Sequence, residues 1–121
     1  MYVRPVTVTA TAGGHRLALS ALGVGRTGAR LAFDLEPPWL PANVARGQPP
    51  LPRPAGTGVD RHGTTYALVP GPSEADSRRM TGELLVYPAP RPEAGWLDLD
   101  LSLGRLGAEQ GPAWRVRLPL E

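Results

Sequence analysis

Trp96-Leu97-Asp98-Leu99-Asp100-Leu101-Ser102-Leu103 is the stretch that decides the fold, and it is answered ten residues later by Trp114-Arg115-Val116-Arg117-Leu118-Pro119-Leu120. Leu97, Leu99, Leu101 and Leu103 fall at every second position with Asp98, Asp100 and Ser102 between them, which is the period of a strand wet on one face. Trp114, Val116, Leu118 and Leu120 alternate in the same way with Arg115 and Arg117. Paired antiparallel over the Gly104 to Pro112 connection, the two runs make an apolar ladder on one face. On the other they set Asp98 across from Arg117 and Asp100 across from Arg115.

The same rhythm extends back to the start of the chain. Val3 to Ala12 alternates Val6, Val8 and Ala10 with Thr7, Thr9 and Thr11, and threonine suits a half-exposed pleat. Gly13-Gly14 turns it, because glycine accepts positive φ, and His15 to Leu22 resumes through Leu17, Leu19 and Ala21. Gly23, Gly25 and Gly28 end that strand; Ala29 to Glu36 gives another, with Leu31, Phe33 and Leu35 inward, and Pro37-Pro38 stops it. Pro37 to Pro54 is proline-studded and aperiodic, a long surface connection of polyproline II character placed to shield a sheet edge. Val59 to Val69 reads as a strand edge, a turn closing on Gly63 and a second strand. Pro70 to Arg79 reads as a polar, mobile loop. Thr81 to Tyr87 is a further strand, and Pro88 to Pro92 a second proline loop leading to the closing hairpin. Seven to eight short strands with no amphipathic helix predict an all-β antiparallel sandwich, with a small β-barrel as the alternative.

The totals agree with one domain spanning 1–121, since 121 residues suffice for a single core. Hydrophobic residues make up 41% of the chain, which argues against wholesale disorder. Fifteen Gly and fifteen Pro punctuate it too often for long helices. Every basic residue is Arg, and Lys and Ile are absent, a bias of coding rather than chemistry. Net charge is +2 with acids and arginines interleaved, so no basic block calls for nucleic acid. Without Cys there is no disulfide, thiol nucleophile or cysteine-ligated zinc. No signal peptide, transmembrane run or membrane-inserting segment is expected. The compartment is open, extracytoplasmic if the chain is an ectodomain cut from a longer protein. So is the oligomeric state.

The order of these features, with Asp60-Arg61-His62-Gly63 followed by Tyr66 and then Gly82-Glu83-Leu84-Leu85-Val86-Tyr87-Pro88, resembles immunoglobulin-like accessory domains of bacterial envelope proteins, lipoproteins and anti-sigma factors. The usual immunoglobulin cysteine pair is missing. The resemblance implies a bacterial noncatalytic module used for spacing or for contact with another protein or domain, with no cofactor and no defined site residue to carry over.

Candidate chemistry is sparse. Asp60 and His62 invite a metal reading, but a site needs three or four convergent ligands, and an Asx-type turn with a solvated His62 explains them as well. Asp98 and Asp100, about 6.5 to 7 Å apart along a strand, have the spacing of an inverting carboxylate pair. Arg115 and Arg117 opposite would keep both ionised. Ser20, Ser73, Ser77 and Ser102 lack a nucleophile-elbow setting. Gly23-x-Gly25-x-x-Gly28 opens no helix and lacks the lysine of a phosphate loop. Arg46-x-x-Pro49-x-x-Pro52 has the spacing of a polyproline ligand, so Trp39, Arg46, Pro49, Pro52 and Arg53 are candidate partner contacts. Trp39 and Trp96 are the candidate sugar platform of a carbohydrate-binding module, the second functional reading; Trp114 shares the apolar face and belongs to the core. A hydrolase or metal enzyme ranks last, and no catalytic residue, cofactor or metal is assigned.

Overall fold

The computed structural model describes residues 2–39, 52–106 and 109–120. Its elements are β1 (Tyr2–Ala12), β2 (His15–Val24), β3 (Ala29–Glu36), β4 (Ala55–Asp60), β5 (Thr65–Ala75), β6 (Met80–Tyr87), a 3-10 turn (Pro92–Ala94), β7 (Trp96–Ser102), β8 (Arg105–Leu106), β9 (Glu109–Gln110) and β10 (Ala113–Pro119). Eight of them form one antiparallel sheet in the order β1-β2-β3-β6-β5-β4-β7-β10, and β8 pairs with β9 in a separate ribbon. The meander β4-β5-β6 is flanked by β7 beside β4, which is Greek-key order. One continuous sheet takes the place of two stacked ones, so the small-barrel alternative fits.

The interior follows from the two-residue period. Val24, Ala29, Val86, Leu68, Gly56, Leu101 and Trp114 form one rung that crosses seven strands in register. That rung leaves β1 at Tyr2 and returns beside the opposite end of β1: the Trp114 indole donates to the His15 carbonyl at 3.1 Å, and Gly13 lies against Pro112. Such a stagger is what tilted strands need to close a sheet. β1 and β10 come together without forming a ladder. Val8, Ala10 and Ala12 of β1 and Val116 of β10 are only half-buried along this seam, while Leu17, Leu31, Leu84 and Leu97 on the inner strands are fully buried.

The registers of the closing hairpin are those the sequence predicts, with Asp98 opposite Arg117 and Asp100 opposite Arg115. Two segments differ. Pro70 to Ala75 is not a loop but the second half of β5, paired through Ser73–Gly82, Glu74–Thr81 and Ala75–Met80 after a register shift between Pro70 and Ser73. Pro70, opposite Leu84, is the last residue paired before the shift, and Pro72 falls within it. β4 starts at Ala55 rather than near Val59, because Gly56 and Gly58 lie within the strand. Pro37 to Pro54 is described only at its ends; Arg46 and Pro49 lie outside the described residues.

Candidate functional site

The β4–β5 hairpin builds a polar corner. Asp60 is 5% exposed and is the buried charged residue among the described ones. Its Oδ1 accepts from the amides of His62 (2.8 Å) and Thr64 (3.0 Å), and its Oδ2 accepts from the Tyr66 hydroxyl (2.7 Å). Gly63 at φ 85° lets the turn close, donating to the Asp60 carbonyl. Burial pushes the Asp60 carboxyl up, but the Tyr66 hydroxyl and the two amides outweigh it and hold the group below its ordinary value. Burial, then the adjoining carboxylate, pushes the Tyr66 phenol up to about 12. Such a pair neither takes nor gives a proton near neutrality. The Asx-type turn expected at Asp60 is present, with residues Arg61 to Thr64 exposed and only the Asp60 side chain drawn inside. His62 itself is exposed, with Nε2 3.1 Å from the Glu93 carbonyl.

No three potential metal ligands converge among the described residues. His15 lies elsewhere, with Nδ1 2.7 Å from the Pro37 carbonyl. Nor is Asp98 tuned for acid catalysis. The Arg117 guanidinium forks onto it (Nε–Oδ1 2.7 Å, Nη2–Oδ2 3.0 Å) and holds its carboxyl below the usual range, while Asp100 pairs with Arg115 at 3.6 Å.

The three indoles do not share a surface. Trp114 is buried in the core. Trp39 is half-buried, packed on the core and over Gly111, at the Leu103 end of the closing hairpin. Trp96 sits at the other end of β7, on the outer face, with the Arg117 guanidinium 3.9 Å above its ring. Of the proline-segment contacts, Pro52 is half-buried and Arg53 is exposed, donating to the Gly71 carbonyl at 2.9 Å.

A different surface stands out. Among the described residues the exposed large apolar side chains are Val3 (77%), Val69 (40%) and Tyr87 (46%). Val3, Gly23, Arg30, Leu85 and Val69 form one outward rung across β1, β2, β3, β6 and β5. Tyr87, two residues beyond Leu85 on the same face of β6, starts the next rung through Ala67, Thr57, Asp100 and Arg115. All three exposed side chains thus belong to one face. Sequence reasoning missed it although the signal is there. Leu84-Leu85-Val86-Tyr87 is apolar at four consecutive positions, and a strand apolar on both faces buries one and leaves the other for a partner.

Comparison of the chain with protein-family models, with curated proteins and with solved structures finds no match.

Proposed function

We propose that the protein is a noncatalytic protein-interaction module that meets its partner through the outer face around Leu85 and Tyr87. The observation carrying this reading is that Val3, Leu85 and Tyr87 wall one cleft on the outer face, with the exposed Val69 paired beside Leu85. Single exposed apolar residues need no explanation, whereas a contiguous set on one sheet face marks a contact surface. Asp60 and Asp98, each held in its ionised form by hydrogen bonds, suit a module that does no acid-base chemistry through them. Kinship with immunoglobulin-like accessory domains belongs to the same proposal; Greek-key order and an all-antiparallel sheet support it. Sugar recognition is less well supported, since Arg117 covers one face of Trp96 and Trp39 packs inward.

Site-specific photocrosslinking in the source cells tests the proposal. A benzophenone side chain at position 87 should capture a defined protein, and one at Glu74, exposed on another part of the outer surface, should not. Adding Val69→Asp should abolish the adduct. The same adducts from both positions, or adducts indifferent to Val69→Asp, would overturn it.

A further inference from the structure

The chemistry of the partner can be read from the cleft beside Tyr87, given that this face is a protein-docking surface. Gly23 sits in the middle of the outward rung, and the missing side chain leaves a depression between Val3 on one side and Arg30 and Leu85 on the other. The resulting cleft is about 670 Å³, walled by Val3, Leu85 and Tyr87. Arg26 and Arg30 line it, and among the described residues no carboxylate does. Arg30 reaches Glu83 at 3.6 Å, whereas Arg26 has no ion-pair partner among the described residues. Arg53 lies outside the cleft's lining, held on the Gly71 carbonyl, and Gly71 abuts the Leu85 side chain that walls the cleft. The neighbouring groove on the far side of Tyr87 differs in its lining, where Asp98 and Asp100 stand beside Arg117 and Arg115.

We infer that the cleft takes an extended acidic polypeptide segment, in which apolar side chains fill the Gly23 depression and carboxylates meet Arg26, Arg30 and Arg53. A second copy of this chain is disfavoured by the same charges, because a two-fold contact would bring arginine clusters face to face. A nucleic acid would leave Val3, Leu85 and Val69 without a role, since affinity for a phosphate backbone comes from cations. From β1 to β5 the rung crosses four strand spacings, roughly 19 Å, so about six extended residues cover it.

The test uses two labelled peptides of about ten residues, with the same Val, Leu and Phe at alternate positions and either Glu or Lys between them. Fluorescence anisotropy should show the Glu peptide binding and the Lys peptide failing to bind. Charge reversal at Arg26→Glu with Arg53→Glu should weaken the Glu peptide by about tenfold or more and admit the Lys peptide. Gly23→Leu should abolish binding without unfolding the protein, because only Val3, at 3.8 Å, lies near an added Cβ. Circular dichroism of each variant checks the fold. Equal binding of both peptides, lost with Tyr87→Asp, would overturn the acidic preference and leave the docking face standing. Failure of both peptides to bind, or binding indifferent to Tyr87→Asp, would overturn the two together. Displacement of the Glu peptide by oligothymidylate, or a concentration-dependent dimer in sedimentation that Tyr87→Asp dissolves, would replace the acidic segment by nucleic acid or by a second copy.

Discussion

Asp60 receives three hydrogen bonds within one hairpin, and the phenol that supplies one of them is itself buried. The linkage runs in opposite directions for the two groups. Asp60 is depressed when folded, so its contribution is present above the ordinary carboxyl value of 3.8 and is lost as pH falls through the folded value. Tyr66 is raised, so its contribution is present below 10 and is lost as pH climbs towards about 12. Tyr66→Phe should therefore cost about 1 to 3 kcal/mol at neutral pH and flatten the alkaline decline in stability. Urea unfolding from neutral to strongly alkaline pH measures both, and parallel profiles for the two proteins would contradict the account. The Asx turn was legible from Asp60-Arg61-His62-Gly63. The burial was not, because no local spacing rule says that a tyrosine six positions on will bring its hydroxyl back to the carboxylate.

β4 shows why strands containing glycine are hard to read. Gly56 and Gly58 face the interior on rungs shared with Leu68 and Leu101 and with Tyr66 and Leu99, and they look like strand breakers in sequence. Their role is to let neighbouring elements close in. A Cβ at position 56 would collide with the Asp100 carbonyl oxygen, and both partners are backbone, so nothing flexible can yield. Gly56→Ala should destabilise by about 3 kcal/mol or more, whereas Gly23→Ala should stay within about 1 kcal/mol. Thermal unfolding of the two variants decides the matter; equal losses would mean that β4 and β7 can part at little cost. In β5 a similar misreading has a similar source. Pro70-Gly71-Pro72 denies the ladder its donors, and only a register shift, which alternation cannot foretell, allows pairing to resume at Ser73.

For the molecule as a whole, the alternation that identifies strands is identical in a sandwich and in a barrel. What separates them is how far the first and last strands are brought round, and that depends on long-range register. Here β1 and β10 meet along a seam with no ladder, pinned at one end by the Trp114 indole. Hydrogen exchange should accordingly rank the amides: those of β1 and β10 that do not pair with β2 or β7 should exchange fastest, and those of the β3–β6–β5 ladder should approach the global limit. Uniform protection across all eight strands would instead mean a closed ring. The contact face escaped the sequence reading for a related reason. Val3, Leu85 and Val69 come from three distant parts of the chain, and only the strand order aligns them.

Leu99 reaches over Gly58, so at that level a neighbour's side chain occupies the space a β4 side chain would have filled. Other barrels of eight strands use such room as a lumen in which to carry a small cargo. This one has given the room to its own leucine, so at that level whatever it grips must be gripped from outside.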